Sequence, residues 1–164
     1  MSLKQYSEYK AAEARFAEWG IDAETAVESA LKIPVSLHCW QADDNVGFES
    51  QDGVSGGGIL ATGNYPGRAR NAKEVRDDLE KAISLIPGAL RVNVHAYYAE
   101  FKNGFVDRDR LEPKHFQGWI DWANQMGIGL DFNPSFHAHP KANDGFTLSH
   151  QDPNIRSFWI EHGK

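Results

Sequence analysis

Imidazole, indole, phenol and amide side chains recur at every second position in three separate runs of this 164-residue chain. In Ile33–Trp40, IPVSLHCW, a period-two reading puts Val35, Leu37 and Cys39 on one face and Ser36, His38 and Trp40 on the other. In Arg91–Tyr98, RVNVHAYY, Val92, Val94 and Ala96 alternate with Asn93, His95 and Tyr97. In Gly127–Ser135, GIGLDFNPS, Ile128, Leu130 and Phe132 alternate with Asp131, Asn133 and Ser135. Such rows can do chemistry. An imidazole in an apolar strand is by default a satisfied core group. Beside a hydroxylated ligand it can instead shuttle a proton, because its pKa lies near neutrality, and His95 is the candidate for that catalytic role. Trp40 offers a flat apolar wall. His38, Asn93, Tyr97, Asp131 and Asn133 offer polar groups beside it, which together suit the C–H face and the hydroxyls of a sugar ring.

These rows matter only if the backbone gathers them. Each strand-like run is followed by a loop and then a helical pattern, the spacing of βα units and parallel strands. In such a sheet the aliphatic faces pack on helices. The polar rows line the other side near the strands' C-terminal ends, where α/β proteins bind ligands. His38, Trp40, His95, Tyr97, Asp131 and Asn133 are therefore expected close together.

The intervening elements read as follows. Residues 3 to 19 suit a helix with Tyr6, Tyr9, Ala12, Phe16 and Trp19 on one stripe and Gly20 as its stop. A second helix follows, capped by Asp22 and ended by Pro34. Asn71 with Glu74 predicts a capped helix that turns Val75, Leu79, Ala82, Ile83 and Ile86 inward. Strand two is read as residues 90 to 98. A helix from Glu112 and Pro113 to about Met126 buries Phe116, Trp119, Ile120 and Ala123, and a last one, capped by Asp152 with Pro153 in its first turn, carries Ile155, Phe158, Trp159 and His162. The fold class is α/β, one domain over residues 1–164 with three βα units and extra N-terminal helices. Three strands alone leave two open edges and an uncovered polar face, so more strands are expected, from a partner chain, a homo-oligomer or the remainder of a larger barrel.

Composition excludes several classes. With 41% hydrophobic and 24% charged residues the chain has a core to bury. A net charge of -6 disfavours nucleic acid and anionic membranes as partners. No apolar run approaches the ~20 residues of a bilayer span, and MSLKQYSEYK lacks a secretory core. The single Cys39 reads as a small buried hydrophobe, and a cytoplasmic location is expected.

Other motifs are weaker. The stretch after Trp40 carries seven glycines and no periodicity, the mark of a functional or disordered loop. Asp43 and Asp44 read as solvated acids, and Gly56 to Gly58 lack the Lys and Ser/Thr of a phosphate loop. His137 and His139 form an H-x-H pair that in an extended segment points one way, and with Asp131 it suggests a metal centre of a small hydrolase. The plainer reading of the pair is hydrogen-bonding loop histidines.

Several long words, IPVSLHCWQADD, GGGILATGNYPGRARNA, LEKAISLIPG, EPKHFQGWIDWA, GLDFNPSF and DGFTLSHQDPNIRSFWIEH, resemble the L-rhamnose isomerase family along nearly the whole chain. The resemblance implies a (β/α)8 TIM barrel, usually a homotetramer. The family interconverts L-rhamnose and L-rhamnulose by a hydride shift between C1 and C2, assisted by Mn2+ or another divalent ion. It implies too that this chain is the N-terminal part of a longer enzyme, with metal ligands on later strands, so that the isolated chain binds no ion and turns nothing over. By analogy Trp40 and His95 stand at strand ends as aromatic wall and ring-opening histidine. His38, Asp131 and Asn133 then face or support the sugar, and His139 keeps the family's His-Pro context.

Overall fold

The computed structural model describes residues 6–38, 48–49 and 69–164. Cys39, Trp40, Asp43, Asp44 and Gly56 to Gly58 lie outside the described residues, as does the start of the expected first helix. The chain divides into two compact units.

The first unit holds the residues up to Val35 together with Pro87–Ala89. Helix α1 spans Ser7–Ala17 and α2 spans Ala23–Ala30. Asp22 caps α2, its side chain accepting from the Thr25 N–H at 3.0 Å, as the spacing predicts. Neither helix buries a residue. Of the stripe read from the sequence, Tyr6, Phe16 and Trp19 are exposed, the last two rings meeting edge-on at 5.8 Å.

The second unit, Ser36–Ile86 with Leu90–Lys164, is α/β. Its three-stranded sheet has the order β1-β2-β3, with β1 at Val35–Leu37, β2 at Leu90–His95 and β3 at Gly129–Asn133. Strands β2 and β3 are parallel, and the register pairs Val92 with Leu130, Asn93 with Asp131, Val94 with Phe132 and His95 with Asn133. Apolar thus neighbours apolar, and polar neighbours polar, across the two strands. A slip of one residue would mix the two rows, which makes this register self-selecting.

Helix α3, Ala72–Ile83, begins at Asn71, whose side chain accepts from the Glu74 N–H at 3.0 Å. It buries Ala72, Val75 and Leu79. Helix α4, Gln117–Met126, follows a 3-10 turn at Pro113–Phe116 and buries Trp119, Trp122 and Ala123. With Val92 and Val94 these residues form one core cluster. Gly127 ends α4 with φ of 67°, a left-handed cap that costs a residue without Cβ little. Helix α5, Pro153–His162, is capped by Asp152 and buries Phe158 and Trp159.

Strand two is shorter than expected. It ends at His95, and Ala96–Tyr98 form a 3-10 turn. A contact distant in sequence ends it: the Ala96 N–H donates to the Ser135 hydroxyl at 3.3 Å, and the Ala99 N–H returns to the Ala96 carbonyl. The turn sends Tyr98 into the core, where it stacks between Phe48 at 5.5 Å and Trp119 at 5.8 Å. The Trp119 indole N–H donates to the Tyr98 carbonyl at 3.0 Å, so this ring fastens helix α4 to the turn after β2. Replacing Trp119 by Ala removes both the packing and that bond, and we expect a loss of about 3–5 kcal/mol, read as a lower guanidinium unfolding midpoint at unchanged slope.

Candidate functional site

The polar face begins low on the strands with a charge pair that runs over a glycine. Arg91 stands opposite Gly129, and its side chain lies across that position to Asp131. Its Nε donates to both Asp131 oxygens, at 2.9 and 3.0 Å, and a terminal nitrogen donates to the Leu130 carbonyl at 2.5 Å. A Cβ at 129 would sit 2.3 Å from a terminal nitrogen of Arg91, so a side chain there would push the guanidinium from this path. The Arg91 hydrogen bonds hold the Asp131 carboxyl below the usual carboxylate range.

Ser36 lies on β1 and Asp131 on β3, with β2 between, and the Ser36 hydroxyl is buried with no hydrogen-bond partner among the described residues. His38, at the end of β1, contacts the Asn93 amide nitrogen through its Nε2. The Asn93 Oδ1 is buried with no hydrogen-bond partner among the described residues.

Above this pair the strand ends carry an aromatic cluster. His95 is buried and stacked on Tyr97 at 4.8 Å, with the Tyr98 ring edge-on at 5.5 Å. The His137 ring approaches both, 6.3 Å from His95 and 6.0 Å from Tyr97. Leaving the strand does not remove Tyr97 from the row; the 3-10 turn folds its ring back onto His95. The His95 Nδ1 meets the Ser135 hydroxyl at 3.0 Å.

The loop after β3 is held by a residue the sequence does not advertise. Arg108, 0% exposed in its side chain, uses all five of its N–H donors. Nε and one terminal nitrogen hold the two oxygens of Glu49, which is 7% exposed. The others reach the carbonyls of Ser135 at 2.5 Å, His137 at 2.6 Å and Ala138 at 2.6 Å. Its guanidinium also lies 5.6 Å from the Tyr97 ring centroid. His162, the last residue of α5, reaches the carbonyls of Arg108 and Pro134 from the other side.

This loop changes the expectation for the H-x-H pair. Ala138 has φ of 52° and Ser135 φ of 58°, so the segment is not extended and its alternation is lost. His137 turns to His95 and Tyr97. His139 is buried elsewhere: its Nε2 meets Asp107 at 2.9 Å, its Nδ1 accepts from the Lys141 N–H at 3.1 Å, and its ring stacks on Phe158 at 5.1 Å. Burial, and then the positive charge of Arg108, hold the His139 pKa below the ordinary imidazole value against the pull of Asp107. Burial pushes Asp107 upward, yet the Arg108 N–H and the His139 and Lys141 contacts outweigh it, and its carboxyl titrates below the usual range.

The expected site residues thus fall into three groups. His95, Tyr97, Asn93 and His38 lie along one polar row, joined by His137. Asp131 and Asn133 lie on that face but are committed to neighbours, Asp131 to Arg91 and Asn133 to Ser135, whose N–H its Oδ1 accepts at 2.8 Å. His139 is bound within its own loop, and Trp40 is outside the described residues. Asp131, His137 and His139 point to different partners, and among the described residues no three His, Cys, Asp or Glu side chains could hold a metal ion. A separate cavity of about 400 Å³ is lined by the aliphatic row, Val94, Leu130 and Phe132, with Phe116, Ile120 and His162.

The described residues thus form a three-stranded parallel α/β sheet with histidine, tyrosine and amide groups at its strand ends. The chain matches the L-rhamnose isomerase family over residues 1–164 and belongs to it. It is 57% identical to an L-rhamnose isomerase of Rhodopirellula baltica, over 88% of this chain and 34% of that protein. Against the enzyme of the same name from Yersinia pseudotuberculosis it is 57% identical over 92% of this chain and 36% of the relative. Against that of Citrobacter koseri it is 52% identical over 100% and 39%. The chain spans little more than a third of the length of these curated relatives.

Two outcomes follow from the loop. Arg108→Met strands a buried carboxylate at Glu49, and we expect a loss of about 3–5 kcal/mol in urea unfolding, with at least half restored by adding Glu49→Leu. The second concerns pH. His139 titrates below its unfolded value, so its contribution is complete above about pH 6.5 and lost as pH falls through the folded value. Asp107, also lowered, loses its contribution further down in the same direction. Unfolding midpoints should therefore fall between pH 7 and pH 5, and the fall should be smaller in His139→Gln; a flat profile contradicts the His139 assignment.

Proposed function

We propose that this chain supplies the sugar-facing wall of an L-rhamnose isomerase and forms the first three βα units of its (β/α)8 barrel. The observation that carries the proposal is the family match along all 164 residues. The strand order β1-β2-β3 and the parallel β2–β3 register support the barrel, in which consecutive strands lie side by side and parallel. The whole described chain then belongs to one barrel domain, with α1 and α2 as additions before it.

In this reading L-rhamnose lies against Tyr97 and His137, with Trp40 completing the wall. The Asn93 Oδ1 accepts from a sugar hydroxyl, with His38 beside it, while Asp131 and Asn133 hold their neighbours in place. His139 supports the loop that carries His137. His95 is the proton-transfer group of ring opening. It takes the proton of the C1 hydroxyl as the C1–O5 bond breaks and returns it to O5, leaving the open-chain aldehyde with no net change of charge.

The subsequent hydride shift to L-rhamnulose is assigned to the remainder of the barrel, together with the Mn2+ or other divalent ion of the full-length family. The described residues do not gather a ligand set for that ion, and no residue of this chain is given to it. The remainder of the barrel, and further copies as in a homotetramer, are the proposed partners, and the cytoplasm is the proposed location. Among the described residues no helix is long and apolar enough to cross a membrane.

Reassembly tests this reading. The chain is mixed with a polypeptide covering the rest of the Citrobacter koseri relative, Mn2+ and L-rhamnose, and L-rhamnulose is measured. We expect turnover in the mixture, none from either part alone, and a loss of about 10²–10⁴-fold with His95→Asn. Comparable turnover by the isolated chain, or none in a mixture that assembles by light scattering, contradicts it.

A further inference from the structure

Ser135 sits 1% exposed at the point where the strand β3 gives way to its loop, in a left-handed conformation that a serine adopts only when its surroundings hold it there. Its surroundings do so at both ends. Its N–H donates to the Asn133 side chain at 2.8 Å, and its carbonyl accepts from Arg108 at 2.5 Å. The hydroxyl is thereby aimed at three atoms: the Asn133 carbonyl oxygen at 3.0 Å, the Ala96 N–H at 3.3 Å and the His95 Nδ1 at 3.0 Å.

A hydroxyl has one proton to give and two lone pairs to receive with. The Asn133 carbonyl can only accept, so it takes the proton. The Ala96 N–H can only donate, so it uses one lone pair. The remaining lone pair faces the His95 Nδ1, and two lone pairs in contact would repel. The Nδ1 therefore carries the hydrogen. In the neutral imidazole the basic lone pair then belongs to Nε2. Rotating the ring to exchange its nitrogens would break this bond and disturb the stack on Tyr97 and the edge contact with Tyr98.

We infer that Ser135 fixes the tautomer of His95 and makes Nε2 the nitrogen that accepts and returns the proton. Ser135 is a positioning residue, acting through His95 without touching the sugar. Its part in the reaction rests on His95 being the proton-transfer group, while the tautomer itself does not. Asn133, Ala96 and Arg108 are the supports of this arrangement, which gives the polar side chain of Asn133 and the buried guanidinium a shared task at the site.

The test reads the tautomer directly. The chain is labelled with 15N-histidine and its two-bond imidazole correlations are recorded well above the ordinary imidazole pKa. We expect His95 as a single neutral species with its hydrogen on Nδ1. Ser135→Ala should shift the population at least several-fold toward the Nε2–H form that free histidine prefers, and Ser135→Gly, which tolerates the same backbone, should do likewise if the alanine variant fails to fold. An Nε2–H signal in the unaltered chain, or an unchanged ratio in the folded variants, overturns the inference. In the reassembled isomerase Ser135→Ala should lower kcat about tenfold with KM for L-rhamnose within about twofold, the pattern of a group needed only in the transition state. Absence of turnover before any substitution would sink the isomerase reading and leave the tautomer result standing.

Discussion

A guanidinium wholly removed from water is tolerable only if every one of its donors finds an acceptor, and Arg108 meets that condition with Glu49 and the loop carbonyls of Ser135, His137 and Ala138. The rest of the site depends on this. Without it the Ser135–Ala138 carbonyls would turn toward solvent, Ser135 and Ala138 would lose the restraint on their left-handed backbone, and His137 would no longer meet His95 and Tyr97. An arginine suits the task better than a lysine, since five planar donors can address several carbonyls and a carboxylate at once.

The sheet supplies the other half of the geometry. The β2–β3 register sets Asn93 beside Asp131 and His95 beside Asn133, so one face of two strands is polar along its length. The opposite face packs Val92 and Val94 on α3 and α4. Charge on the polar face is neutralised inside it: Arg91 engages Asp131 over Gly129. What is left at the strand ends is largely neutral and aromatic, a surface suited to an uncharged, hydroxylated ligand better than to an ion.

Much of this was legible in the residues. Alternation in RVNVH and GLDFN gave the strands and their polar row, because a strand's period of two leaves a direct mark on sequence. Asn71, Asp22 and Asp152 marked helix starts through the same capping bond each makes. Other features left no such mark. Arg108 and Arg110 stand two apart in VDRDR, one buried and one exposed, and only contacts distant in sequence separate them. The end of β2 at His95 is imposed by a serine 40 positions later, and the divergence of His137 from His139 by a left-handed Ala138. The stripe on α1 obeyed helical spacing and yet no residue of that helix is buried, since periodicity reports which residues share a face and not whether that face is covered.

The decisive question is whether a sugar meets the polar face at His95. Titrating the labelled chain with L-rhamnose and following side-chain resonances answers it most directly. Saturable shifts at His95, Tyr97 and His137, with His115 and His150 unmoved, are the result expected. No saturable shift, or shifts confined to Phe132 and His162 around the separate cavity, would contradict the assignment of this face to the sugar.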